Sequence, residues 1–109
     1  MDFVVVQSYL MTPLAKSADI ILPGLAPFER EGTITNDKGH VQWLRPSLPN
    51  QGDERCDWEI LNLIDKTENR YVDLNDLMRD VGKQFPTYSD ISFFKLGDRG
   101  ISLSERAKA

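Results

Sequence analysis

Phe3-Val4-Val5-Val6 is apolar at four consecutive positions, and this run restricts the fold of the chain more than any other feature. Successive side chains of a strand point to opposite faces, so such a run suits a strand covered on both sides, as in a parallel sheet. A second run, Asp19-Ile20-Ile21-Leu22, stops at Pro23 and Gly24. The 11 residues from Ser8 to Ala18 separate the two, close to the roughly 10–12 that a parallel crossover needs. Thr12 and Pro13 provide an N-cap and a first helical residue, which predicts a short helix over Leu14 to Ala18. Residues 1–24 therefore read as a βαβ unit.

The next stretch changes character. Thr33-Ile34-Thr35 and Val41-Gln42-Trp43-Leu44 are strand candidates, and Asn36-Asp37-Lys38-Gly39 between them are turn formers. A hairpin is predicted here, followed by a surface loop over Arg45 to Glu54, which holds Pro46, Pro49 and Gly52. Two amphipathic helices follow. Asp57 is placed to cap Trp58 to Lys66, with Trp58, Leu61 and Ile64 on one stripe and Ile60 and Leu63 widening it. Asp73 is placed to cap a second helix, in which Leu74, Leu77, Met78, Val81 and Phe85 recur at helical spacing until Pro86. The expected fold class is α/β: a partial parallel, Rossmann-like sheet from the βαβ unit, then a β-hairpin and two helices. The expected organisation is a single domain or domain fragment over 1–109, divided into 1–24, a hairpin and loop over 25–56, and a helical pair and tail over 57–109.

Only one of these expectations is uncomfortable. A strand that is apolar on both faces needs neighbours on both sides and helices above and below. The 109 residues offer one other parallel strand and few helices to cover the pair. The chain reads as the last part of a larger α/β domain, entered partway through its sheet.

Composition excludes several functions. The 13 Lys+Arg against 17 Asp+Glu leave a formal charge of −4, which argues against nucleic acid or an anionic membrane surface as the main partner. A lone cysteine, Cys56, and a lone histidine, His40, cannot build a disulfide, a zinc site or an iron–sulfur site within one chain. The first residues lack the basic start and long apolar core of a signal peptide, and no run approaches the ~20 apolar residues of a membrane helix. The expected location is cytoplasmic, alone or within a membrane-associated complex, with no direct membrane insertion.

Few residues carry a chemical signal. Glu29 and Glu31 could suggest acid–base work, but an acid pair with no metal or histidine beside it is better read as structural, with Gly32 permitting a turn. Asn36, His40 and Gln42 could present amide and imidazole groups to a ligand, and also fit a solvated hairpin tip. Cys56 stands near a helix N-terminus, where a thiol pKa can fall, yet it reads as a packed residue. Trp43 and Trp58 read as core or interface anchors. Gly97-Asp98-Arg99-Gly100 lacks the spacing of a phosphate loop. No catalytic or metal-binding residue is expected in this chain.

Taken in order, Thr12-Pro13-Leu14-Ala15, Ala18-Asp19-Ile20-Ile21-Leu22-Pro23, Glu29-x-Glu31-Gly32-Thr33-x-Thr35-Asn36, Gly39-x-Val41-Gln42 and Asp57-Trp58-x-Ile60-Leu61 resemble the large subunit of the molybdopterin oxidoreductases. The tail, with Phe85-Pro86-x-Tyr88-x-x-Ile91 and Leu96-Gly97, resembles the segment that precedes the family's final barrel domain. The resemblance covers roughly Asp2 to Gly100. It implies a fragment of an oxidoreductase whose iron–sulfur clusters, and any molybdopterin guanine dinucleotide with Mo or W, are held mostly elsewhere. No cofactor is expected in this chain by itself, and alone it is not expected to be active.

Many active members resemble this chain but carry Arg where His40 stands. That departure points to the G subunit of bacterial NADH:quinone oxidoreductase (complex I), in which this region supports electron transfer structurally. The alternative is a cofactor-pocket segment of a formate dehydrogenase alpha subunit, where the resemblance implies that Glu29, Asn36 and Gln42 line or support the pterin pocket. A third reading is a free-standing interaction module without catalysis. Under the first two, the partners are the rest of the parent subunit and other redox-complex subunits.

Overall fold

The computed structural model describes residues 2–67 and 71–106. In chain order the elements are β1 (Val5–Ser8), α1 (Pro13–Lys16), β2 (Ile20–Pro23), β3 (Gly32–Thr35), β4 (His40–Leu44), α2 (Asp57–Ile64), α3 (Leu74–Gln84), a 3₁₀ turn (Pro86–Tyr88), α4 (Phe93–Leu96), β5 (Ile101–Ser102) and α5 (Leu103–Arg106). The elements form a parallel two-stranded sheet and an antiparallel three-stranded sheet with helices, a small mixed α/β architecture as expected. They group into two compact units: Met1–Arg30 with Arg45–Arg70, and Glu31–Leu44 with Tyr71–Ala109.

In the first unit β1 and β2 pair in parallel, with Val5 opposite Ile20 and Ser8 opposite Pro23. The crossover works as the sequence predicts at its start, since Thr12 Oγ1 accepts from the Ala15 N–H (3.1 Å). It is shorter at its end, because α1 stops at Lys16 rather than Ala18. Ala15 is fully buried, and Leu25 and Ile60 are the unit's other buried apolar side chains among the described residues. The double-sided burial expected of the strands is not met within this unit. Phe3 is 62% exposed, Val5 50% and Ile20 45%, because no further strand or helix lies over them among the described residues.

Helix α2 begins one residue earlier than the Asp57 cap predicted, and ends at Ile64 rather than Lys66. Cys56 is the N-cap and Glu59 closes a capping box, its carboxylate accepting from the Cys56 N–H (2.9 Å). Asp57 lies in the first turn instead, where a negative charge also suits the helix dipole.

The second unit has a conventional core. β4 is the central strand, antiparallel to β3 on one side and β5 on the other. Val41 on β4 is fully buried and packs with Met78, Ile91, Phe93 and Leu96. Trp43 joins them, its ring 5.1 Å from that of Phe93 at 44°, so its expected role as a core anchor is met. α3 is amphipathic as its spacing predicts; Asp73 caps it by accepting from the Asp76 N–H (2.9 Å).

The two-residue strand β5 has too few residues to show an alternation, and the sequence reading leaves it in the tail. It is placed by Gly100, whose φ of +74° turns the chain back against β4. A Cβ there would lie 2.3 Å from the Val41 carbonyl oxygen and 2.9 Å from His40 Nε2. Gly97, with φ +49°, ends α4 by donating its N–H to the Phe93 carbonyl. Glycine in this tail shapes turns.

A polar cluster sits on α3. The Tyr71 hydroxyl donates to Asp80 Oδ2 (2.7 Å), and the Gln84 amide donates to the same oxygen (3.1 Å). The Tyr71 bond is the main cause that holds the Asp80 carboxyl below its ordinary value; partial burial opposes it, and Gln84 and Lys83 reinforce it.

Three substitutions test this packing and the Asp80 cluster. Gly100→Ala destabilises the fold by at least about 1–2 kcal/mol, the cost of a left-handed conformation for a residue with a Cβ, before the clash is added. Gly32→Ala, with nothing within 4 Å of the added Cβ, leaves the midpoint of denaturant unfolding nearly unchanged. Because the Asp80 pKa is depressed in the folded chain, its stabilisation is present above the unfolded carboxylate pKa and is lost as pH falls through the folded one. Tyr71→Phe shifts the Asp80 titration, followed by carboxyl-carbon NMR, upward toward the ordinary value.

Candidate functional site

In the first unit, polar groups converge on Asp57. Gln7, next to the end of β1, donates its Nε2 to Asp57 Oδ1 (2.6 Å). The Arg30 guanidinium lies 3.4 Å from Oδ2. Gly24, just past β2, is buried, and a Cβ there would approach Asp57 Oδ1 to 3.2 Å. The Asp57 carboxylate thus joins the carboxyl ends of β1 and β2, the Arg30 segment and the first turn of α2. Both members of the ion pair are substantially exposed, so their attraction alone adds less than about 1 kcal/mol. Its value is geometric.

Glu29 belongs to the same unit. Residues 26–29 form a turn, with the Glu29 N–H bonded to the Ala26 carbonyl (3.0 Å) and the Ala26 N–H donating to Glu29 Oε2 (3.0 Å). Glu29 thus closes its own turn twice, once through its backbone N–H and once through its carboxylate. Farther along, Glu54 Oε2 is buried without a hydrogen-bond partner among the described residues, in a polar hollow of about 340 Å³ that Asn50, Arg55 and Glu59 also line.

Asn36, His40 and Gln42 lie in the second unit, on the β3–β4 hairpin. Asn36 Oδ1 accepts from the N–H groups of Lys38 (3.0 Å) and His40 (2.9 Å). The Asn36 N–H donates to the His40 carbonyl (3.0 Å). A side-chain oxygen therefore substitutes for the second backbone bond of the closing pair. Gly39, with φ +71°, completes a three-residue loop of the kind that needs a left-handed residue in its last position. His40 Nε2–H donates to the Arg99 carbonyl (2.6 Å), tying the hairpin to the turn before β5. Gln42 follows the buried Val41, and alternation sends its exposed side chain to the face opposite the core, paired with Ile34.

These positions can be weighed against a polar cofactor. Asn36 keeps its amide N–H₂ and Gln42 its whole amide clear of other hydrogen bonds among the described residues. Amides of this kind can donate to and accept from a heterocycle with mixed edges, such as a pterin or a purine. Glu29 is committed to its turn and fits a supporting contact. His40 is committed to Arg99. No group of three His, Cys, Asp or Glu is placed to hold a metal ion among the described residues, and no described helix is long and apolar enough to cross a membrane.

Sequence reasoning places Asp57 at a helix start but misses its link to Gln7 and Arg30. A glutamine ending an apolar strand run is the signal that could have shown it.

Known proteins place the chain in context. Residues 1–67 match the pattern of the molybdopterin oxidoreductase family. The chain is 33% identical over 106 residues to the F420-dependent formate dehydrogenase 2 subunit alpha of Methanococcus maripaludis, a match covering 93% of this chain and 16% of that protein. It is 33% identical over 98 residues to a Staphylococcus haemolyticus protein that carries the provisional name formate dehydrogenase, covering 87% of this chain and 10% of that protein. A similarly named protein of Staphylococcus aureus is 32% identical over 99 residues. The chain therefore spans 16% or less of the length of these relatives. They agree with the formate dehydrogenase reading better than with the complex I reading.

Asn36→Ala removes the acceptor for two backbone N–H groups and lowers stability by about 1 kcal/mol or more, whereas Asn36→Asp, which keeps that acceptor, costs less. Urea denaturation of the two variants side by side checks this ordering. The family pattern over more than half its length establishes that this chain belongs to the molybdopterin oxidoreductase family.

Proposed function

We propose that the chain serves as a cofactor-supporting segment of the large subunit of a formate dehydrogenase of the molybdopterin type. The observation that carries this reading is the similarity to formate dehydrogenases along almost the whole chain, 93% of it in one case. The similarity extends beyond residues 1–67 of the family pattern, a region that itself contains the hairpin.

In this role Asn36 and Gln42 present their amides to the pterin cofactor from the hairpin. Glu29, in the first unit, holds the 26–29 turn. The cofactor, when bound, supplies the metal that takes two electrons from formate as it becomes carbon dioxide. The residues of this chain bind and orient; none of them moves a proton or electron in that step. The fixed hairpin tip supports this reading, because a cofactor contact benefits from an amide held by a rigid turn. Asn36 spends its oxygen on the loop and keeps its nitrogen for a ligand. His40, bound to Arg99, is a structural strut in this reading.

The role extends to the whole enzyme as a redox assembly, with the remainder of the large subunit and an electron-accepting subunit as partners. Iron–sulfur clusters belong to the remainder of that subunit.

Metal and pterin analysis of the purified parent enzyme, together with formate-dependent dye reduction, tests the proposal. The expected result is stoichiometric molybdenum or tungsten with pterin, and formate oxidation that falls at least tenfold in the double variant Asn36→Ala/Gln42→Ala. A parent with neither metal nor pterin overturns it and favours a purely structural role.

A further inference from the structure

We infer that the cleft between α3 and residues 89–92 binds a small phosphate monoester with an apolar body. The cleft measures about 610 Å³ and lies wholly within the second unit. Small-molecule sites fall in this size range, and combine an apolar lining with a few placed polar groups. The cleft is separate from the hairpin amides. Met78, which lines it, packs with Val41 on the core side of β4, whereas Gln42 faces the other way.

Helical spacing sets the cations of one wall. Asn75, Arg79 and Lys83 follow one another at four-residue intervals, so they form a row along α3, and all three line the cleft. Arg79 donates from Nη1 to Asp76 (2.8 Å), which fixes the guanidinium and leaves its other N–H groups to a ligand. The side chains of Asn75 and Lys83 make no hydrogen bond or ion pair among the described residues. The other wall supplies hydroxyls. That of Ser89 has no partner among the described residues. Ser92 Oγ accepts from the Lys95 N–H (3.3 Å) and so keeps its own O–H to donate. Asp90 lies between the two serines at φ +61°, and its carboxylate, which also lines the cleft, is neutralised by an ion pair with Lys95. Gly82 lets the two walls meet, since a Cβ there would lie 3.2 Å from both Ser89 Cα and the Tyr88 carbonyl oxygen.

The donor set selects the ligand. A phosphate monoester carries nearly two negative charges at neutral pH and three terminal oxygens that accept strongly. Two cations and two hydroxyls match that charge and that number of acceptors. A carboxylate, with a single charge and two oxygens, leaves part of the set unused. Met78 and Ile91, both buried, form the apolar part of the lining and meet the organic group of the ester. The inference goes beyond the proposed function and needs neither formate as substrate nor a pterin contact.

Titration calorimetry of the purified, full-length parent enzyme with phenyl phosphate tests it. The expected result is saturable binding, with inorganic phosphate and benzoate each at least fivefold weaker. The double variant Arg79→Gln/Lys83→Gln weakens phenyl phosphate at least tenfold, whereas Lys83→Arg, which keeps the charge, stays within threefold. A second measurement needs no variant: phenyl phosphate slows acetylation of Lys83 by acetic anhydride, followed by mass spectrometry of the digested enzyme. Absence of binding overturns the proposal. Binding that the double variant retains, or that leaves Lys83 unprotected, places the ligand elsewhere in the enzyme and overturns it as well. Benzoate binding as tightly as phenyl phosphate overturns the phosphate assignment. None of these outcomes alters the formate dehydrogenase reading, which stands or falls on metal, pterin and formate oxidation.

Discussion

A parallel strand has two edges and two faces, and one neighbour can satisfy only one edge. That constraint governs the first unit. β1 and β2 satisfy each other along a single edge, and short α1 can bury little more than Ala15. Most of the large apolar side chains left exposed among the described residues, from Phe3 to Ile64, belong to this unit. Each fully covered side chain of that size is worth about 1.5–3 kcal/mol, so the uncovered set is large against the 5–15 kcal/mol that stabilises a typical domain. What holds the unit's form in the absence of a deep core is polar: three local devices, the Thr12 cap, the Glu29 turn and the Cys56–Glu59 box, and one long-range link, the Asp57 junction.

The second unit solves the opposite problem. Its sheet is antiparallel, so one face can remain in water while the other packs. Val41 and Trp43 face the helices, and Gln42 faces solvent between them. The same alternation that builds the core delivers an amide to the outside on a strand held from both sides. In the proposed function, that presentation favours the hairpin over the Glu29 turn as the platform for a ligand contact.

Periodic features were legible from the chain alone. The βαβ unit, the hairpin and α3 each depend on local spacing and on cap or turn residues that act within three or four positions. Three features were not legible: two have a long-range cause, and the third, the start of α2, depends on a local side-chain contact. β5 exists because Gly100 allows a close approach to Val41, a contact between segments about sixty residues apart, and Ile101-Ser102 is too short to show a period. The start of α2 moved to Asp57 because Cys56 and Glu59 close a box that residue preference at the cap does not favour. Asp57, released from capping, became a junction through Gln7, fifty residues away. Of the candidate site, the positions of Asn36 and Gln42 on a hairpin were readable; the use of the Asn36 oxygen by its own loop was not, because turn composition does not specify which side-chain atom is consumed.

The chain enters the second unit at Glu31, leaves it after Leu44 and returns at Tyr71. This interruption bears on the order in which the protein forms as it leaves the ribosome. The β3–β4 hairpin is local and can close early, since Asn36 and Gly39 act within its own loop. The residues that cover Val41, from Met78 to Leu96, emerge only later. Until then the hairpin presents an apolar face with no cover, during the same interval in which β1 and β2 are also open. Nascent chains of this family segment therefore pass through a stage with two sticky sheets at once, when chaperone capture and premature strand exchange are most costly to escape.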